Sequence, residues 1–119
     1  YISFETVLGN AGVTFQYYSQ IFVASYQTKE IVADGQKIVY KTLKSSILTN
    51  SAGIENKEQY AIASPERAFL DVVYLNKDYH FDQLSSLDWK KVDGLLPVYG
   101  KNKRISEQIN KYYQAMQEQ

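Results

Sequence analysis

Phe4, Val7, Leu8 and Ala11 fall at i, i+3, i+4 and i+7, the spacing that lines one face of a helix. The predicted helix runs from Phe4 to Asn10, with Ser3 as its cap. Gly12 is its stop, because glycine accepts the left-handed conformation that follows a last turn. A short irregular or helical piece covers residues 13–19. The pattern then changes period. β-branched and aromatic residues dominate residues 20–26, 29–33 and 37–43, which predicts three strands, and Asp34-Gly35 between the second and third is hairpin chemistry. Residues 44–57 are polar and read as a loop with room for one helical turn. Residues 58–63, EQYAIA, predict a further strand that closes the sheet.

The helical period returns in SPERAFLDVVYLN. Ser64 is the cap. Pro65 sits at the first helical position, where its missing N–H is not needed, and Glu66 lies in the first turn, where the helix dipole favours a negative charge. Residues 77–100 hold one or two shorter helices ended by Pro97 and Gly100. The last element is a helix with Ile105, Ile109, Tyr112 and Met116 as an apolar stripe. There is no internal repeat and no interdomain linker. The expectation is an α+β fold in one domain spanning residues 1–119: a small, mainly antiparallel sheet packed with helices. The SPERAFLD helix is central, and the C-terminal helix lays its stripe on the body or on a partner.

Composition narrows the function classes. A chain of 119 residues with 45% hydrophobic and 22% charged residues fits one core. Eleven tyrosines suit half-buried strands and rims. Cysteine is absent, which excludes a disulfide framework and a thiolate metal site and suits a cytoplasmic protein. No apolar run approaches the roughly 18 residues of a membrane span, and no signal peptide is visible. The first residue is Tyr1, so the chain is read as part of a longer protein. Net charge is zero but uneven: residues 1–89 hold seven Lys or Arg against ten Asp or Glu, and residues 90–119 hold six against three.

Candidate chemistry is sparse. His80 is the single histidine, flanked by Asp78 and Asp82; a lone loop histidine is more often solvated or locally bonded than a metal ligand, and a Ser–His–Asp triad would have to use this same residue. No nucleophile elbow, P-loop or dinucleotide motif is present. Asp34 with Glu55 and Lys57 has the letters of a metal-dependent nuclease, but Asp34 serves a tight turn and Glu55 falls in the polar loop. Arg67 and Asp71 stand i, i+4 on one helix and can brace it, worth about 0.3 kcal/mol if exposed. If Asp71 is buried among Phe69, Leu70, Val72 and Val73, it needs a donor: Arg67, a tyrosine hydroxyl or a backbone amide. Lys90, Lys91, Lys101, Lys103, Arg104 and Lys111 make the tail basic. They are either a solvated face or a set of phosphate contacts adding sequence-independent affinity beside a separate DNA-reading domain.

Two stretches together resemble a family. YISFETVLGNAG is similar to the segment that opens the C-terminal domain of the AbiEi antitoxins, typically Tyr-hydrophobic-Ser-x-x-Ser-Ala-Leu-x-x-x-Gly, with Thr6-Val7 here in place of Ser-Ala. IASPERAFLDVVYL resembles that family's Ser-Pro-Glu-Lys/Arg-Ala-Leu-Leu-Asp motif, matched by Ser64, Pro65, Glu66, Arg67, Ala68, Leu70 and Asp71. The family comprises antitoxins of type IV toxin–antitoxin systems in abortive phage infection. The resemblance implies a two-domain bacterial protein whose N-terminal winged helix, absent from this chain, binds operator DNA and represses its own operon. The C-terminal part supports antitoxicity and assists cooperative operator binding. The functional partner is a nucleotidyltransferase-like toxin, with no stable direct complex expected, and self-association is left open. The resemblance carries over no catalytic residues, cofactor or metal, and treats the motif residues as architecture. Two alternatives stand beside this non-enzymatic reading: a small nuclease using Asp34, Glu55 and Lys57, and a plain oligomerisation module.

Overall fold

A computed structural model describes residues 1–15 and 19–118. Helix α1 is Phe4–Asn10, followed by Gly12 at φ 77°. The centre of the expected 13–19 piece lies outside the described residues. Strands β1 (Ile21–Ser25), β2 (Lys29–Ala33) and β3 (Gln36–Thr42) match the three expected strands closely. Asp34 at φ 50° and Gly35 at φ 77° form the β2–β3 turn, where positive φ at both central residues matches the strand twist. Helix α2 (Ser45–Leu48) is the single turn expected in the loop. That loop also contains a strand the pattern did not announce, β4 (Ile54–Asn56), which pairs with β5 (Ala61–Ala63). Then come α3 (Pro65–Leu75), α4 (Trp89–Leu95) and α5 (Lys103–Gln117), with 3₁₀ turns at Leu84–Ser86 and Leu96–Tyr99. As expected from sequence, α4 ends just before Pro97, which opens the second 3₁₀ turn, and that turn stops at Gly100, at φ 73°.

The architecture is α+β with mostly antiparallel pairing. β3 lies between β1 and β2, parallel to the first and antiparallel to the second, and β4 with β5 is antiparallel. The two sheets are joined through one residue. Ile2 bridges Val23 of β1 on one side and Ile62 of β5 on the other. Four backbone bonds make the seam: Ser3 N–H to Phe22 O, Ala24 N–H to Tyr1 O, Ile2 N–H to Ala61 O and Ala63 N–H to Ile2 O, at 2.7–3.0 Å. The order across the joined sheet is β4, β5, residues 1–3, β1, β3, β2. Among the described residues, β5 closes onto the sheet through Ile2.

One face of this sheet carries the core. Phe4 and Leu8 from α1, Phe22 and Ala24 from β1, and the α3 residues Ala68, Phe69, Leu70, Val72 and Val73 are buried. Phe69 is its hub, meeting the rings of Phe81, Trp89 and Tyr112 edge-on at 4.9, 5.6 and 5.8 Å. Such pairs contribute about 0.5–1.5 kcal/mol each beyond area burial. The C-terminal stripe packs on the body, with Ile105 and Ile109 buried and Tyr112 half-buried. No helix among the described residues is long and apolar enough to cross a membrane.

Candidate functional site

The motif of residues 64–71 becomes a helix start because each letter removes a defect. The Ser64 backbone is extended, and its Oγ accepts the Arg67 N–H at 3.2 Å, satisfying one of the orphan donors of the first turn. Replacing Ser64 with Ala is expected to cost about 1 kcal/mol in a denaturant titration. Glu66 stands in the first turn as expected, but it is also buried, and its Oε2 accepts the Asp88 N–H at 3.0 Å. It therefore ties the start of α3 to the residue that caps α4.

Arg67 and Asp71 are both fully buried. The i, i+4 brace expected from sequence is not what they form: no ion pair joins them among the described residues, and Tyr1 stands between. The Tyr1 hydroxyl donates to Asp71 Oδ2 at 2.9 Å and accepts from Arg67 Nη2 at 3.2 Å. The Arg67 guanidinium lies 5.1 Å from the centre of the Tyr1 ring. It also donates to Ile47 O at 2.7 Å, Asn50 O at 2.8 Å and Ala52 O. Those carbonyls belong to the last turn of α2 and the loop after it, where a helix end leaves acceptors without intrahelical partners. The fork of guanidinium donors suits several carbonyls at once in a way no lysine does.

Asp71 collects hydroxyls. Ser3 Oγ donates to Oδ2 at 2.6 Å and Tyr99 Oη to Oδ1 at 2.5 Å, beside the bond from Tyr1. Ser3 thus makes no side-chain cap for α1, contrary to expectation, since its hydroxyl is turned onto Asp71. Burial pushes the Asp71 carboxyl above its ordinary range, against the pull of the hydrogen bonds from Ser3, Tyr99 and Tyr1 and of the Arg67 charge. Burial, followed by the Asp71 charge, pushes the phenols of Tyr1 and Tyr99 up as well. Neither Arg67 nor Asp71 meets solvent, so in this conformation neither touches a substrate. The network clamps four segments: residues 1–3, residues 47–52, α3 and the turn at Tyr99.

The basic residues are placed unequally. Lys90 and Lys91 are exposed on α4, Lys101 precedes α5, and Lys103 and Lys111 are exposed on it. Arg104 is not a surface cation in the same sense. Its guanidinium donates to Val73 O at 3.2 Å and Tyr74 O at 2.7 Å, capping the C-terminal end of α3. Lys103 faces Glu107 at 3.8 Å. Lys90 lines a shallow hollow with Asp93, and Lys111 lines another with Asp78 and His80, so acids interrupt the basic face.

The nuclease letters are not brought together. Asp34 is in the β2–β3 turn, and Glu55 lies on β4 at the opposite edge of the joined sheet, 2.7 Å from Lys57. Glu55 is thus on a strand rather than in the expected loop. Among the described residues no three His, Asp or Glu side chains gather as a metal site, and His80 is exposed beside Asp82. The tyrosine hydroxyl expected as a donor to a buried Asp71 is found twice, in Tyr1 and Tyr99. Sequence reasoning did not say which tyrosines these are, and it missed Ser3 as the third donor. Comparison with protein-family models, with curated proteins and with solved structures returned no match.

Proposed function

We propose that this chain is the C-terminal antitoxin and regulatory domain of an AbiEi-type protein, acting without catalysis against a nucleotidyltransferase-like toxin and assisting operator binding by the full-length repressor. The observation that supports this reading is the join between the two stretches that carry the resemblance. Tyr1 and Ser3 of the first are hydrogen-bonded to Arg67 and Asp71 of the second, across 66 to 70 residues of sequence. Ala68 and Leu70 are fully buried, and Ser64, Glu66, Arg67 and Asp71 each hold a backbone or side-chain partner. A motif built this way preserves a scaffold and leaves the work to the surface.

The test is co-expression of this chain with the toxin encoded beside it, scored by growth. Rescue is the expected result. A folded chain that neither rescues growth nor affects operator binding in the full-length protein overturns the proposal. So does Mg²⁺-dependent cleavage of DNA or RNA that is lost in Asp34→Ala. The contribution to DNA binding is tested separately, by reversing Lys90, Lys91, Lys101 and Lys103 to Glu while leaving Arg104 in place. Operator affinity of the full-length protein is expected to fall, with a shallower dependence on salt. An unchanged salt slope means these lysines are only solvated.

A further inference from the structure

β2 is an open edge of the joined sheet. β3 pairs with one side of it, and among the described residues no strand pairs with the other. All five of its residues are exposed, Val32 at 72% and Ile31 at 39%. Its two charges are drawn off the edge toward β3. Glu30 Oε2 lies 3.2 Å from Lys37 Nζ, and the Lys29 ammonium lies 5.0 Å from the Tyr40 ring centre. The opposite edge, β4, is protected by being only three residues long. β2 has neither that brevity nor a proline.

The pairing fixes which backbone groups face the open side. The Leu43 N–H donates to Ser25 O of β1, so the odd-numbered residues of β3 turn their backbone groups toward β1, and Gln36, Ile38 and Tyr40 turn theirs toward β2. Their partners in register are Ala33, Ile31 and Lys29. The turn at Asp34-Gly35 gives the same phase, since a two-residue hairpin closes on a hydrogen-bonded pair, here Ala33 with Gln36. Glu30 and Val32 therefore point their N–H and C=O groups out from the edge, between exposed aliphatic side chains.

We propose that β2 of a second copy pairs antiparallel with this edge, about a two-fold axis that crosses the sheet at Ile31. Outward groups must meet outward groups, which places the axis at Glu30, Ile31 or Val32. An axis at Glu30 sets Glu30 directly opposite the partner's Glu30. One at Val32 sets Glu30 opposite the partner's Asp34. Like charges directly opposite are destabilising. The axis at Ile31 avoids both. It sets Glu30 opposite the partner's Val32 on either side, each pair exchanging both of its backbone bonds. It also brings Lys29 opposite the partner's Ala33 and next to its Asp34, a base beside an acid at both ends. The strand is thus complementary to itself in one register, as a closed two-fold contact requires, and the pairing removes the open edge of both copies at once. The two Ile31 side chains meet on the axis. The contact is small beside the standard of about 800 Å² per partner, so the dimer is weak and dependent on concentration.

Sedimentation velocity of the 119-residue chain from micromolar to millimolar concentration tests this. A monomer–dimer equilibrium is expected. Val32→Pro removes a donor that faces away from β3, so the monomer keeps its sheet while each copy loses a bond to the other. The dissociation constant should rise at least about tenfold, with thermal melting as the check on folding. Ile31→Cys reads the register. The natural chain has no cysteine, and residues facing each other in a non-hydrogen-bonded pair are about 4.5 Å apart at Cα, within reach of a disulfide. Oxidation should link this dimer covalently. Ala33→Cys should not link, since its two copies lie about 14 Å apart along the strands. A chain that stays monomeric at every concentration overturns the proposal. So does a dimer that a folded Val32→Pro variant leaves intact, or one that Ile31→Cys fails to cross-link. If Val32→Pro does not fold, the cross-link decides alone. None of these outcomes bears on antitoxicity, which the rescue experiment reads independently.

Discussion

Arg67→Met is expected to lower the stability of the domain by about 3–5 kcal/mol, the usual cost of leaving a buried ionic network without one member. Methionine replaces much of the stem volume, so the loss is mainly one of donors. Without the guanidinium, Ile47 O, Asn50 O and Ala52 O lose the bonds that hold the 47–52 segment against α3, and the Tyr1 hydroxyl loses its donor. Ile47 O keeps its bond from the Asn50 N–H at 3.2 Å, and Asn50 and Ala52 are exposed residues, so the cost of about 1–3 kcal/mol per unpaired buried group falls on the Tyr1–Asp71 side of the network. Domains of this size are stable by only about 5–15 kcal/mol, so the variant stands near the limit of folding. The melting midpoint should fall by more than about 10 °C in calorimetry. Arg67→Lys should lie between, since one ammonium does not span three carbonyls. A loss below about 1 kcal/mol for Arg67→Met would mean that water replaces the fork, and that the network does not hold α2 in place.

How far such a network is legible in sequence depends on the range over which its parts act. The α1 span, the Asp34-Gly35 turn and the Ser64-Pro65 helix start are settled within a few residues, by period, positive φ and capping, and each stands where the pattern puts it. β4 was hidden because three residues, two of them polar, are too short to show a period. The seam at Ile2 was hidden because a single residue pairs with two strands distant in sequence, and no local pattern marks that. The spacing of Arg67 and Asp71 suggested that they meet. Spacing does not say which groups compete for each, and the carbonyls of residues 47–52 and the hydroxyls of Ser3, Tyr1 and Tyr99 come from elsewhere in the chain. Arg104 teaches the same point from the surface. Beside Lys101 and Lys103 it looks like one more cation, yet the end of α3 claims it.

Asp71→Ala should cost about 3–5 kcal/mol at neutral pH, because three hydroxyls lose their acceptor and the buried Arg67 charge loses its nearby carboxyl. Asp71→Asn should cost less. Its oxygen can still accept from Ser3 and Tyr1, its amide can donate to Tyr99, and the Tyr99 hydroxyl has the Arg67 carbonyl 3.3 Å away as an alternative acceptor. The pH dependence separates carboxyl from amide. Burial holds the folded Asp71 carboxyl above its unfolded value, so the folded state binds its proton more tightly than the unfolded chain does. Its contribution is therefore complete in acid, below the ordinary carboxylate range, and is lost as the pH rises through the elevated folded value. The amide variant lacks this titration; the Tyr1 amino group and the Tyr1 and Tyr99 phenols also feel the Asp71 charge, so the comparison is read on the acid side of the range in which those groups titrate. The stability difference between the natural chain and Asp71→Asn should thus be largest in acid and narrow as the pH climbs. Urea titrations at a series of pH values measure it directly. A difference that instead widens with rising pH would mean that Arg67 and the three hydroxyls outweigh burial, making Asp71 a stabilised anion rather than a carboxyl whose proton is held by burial.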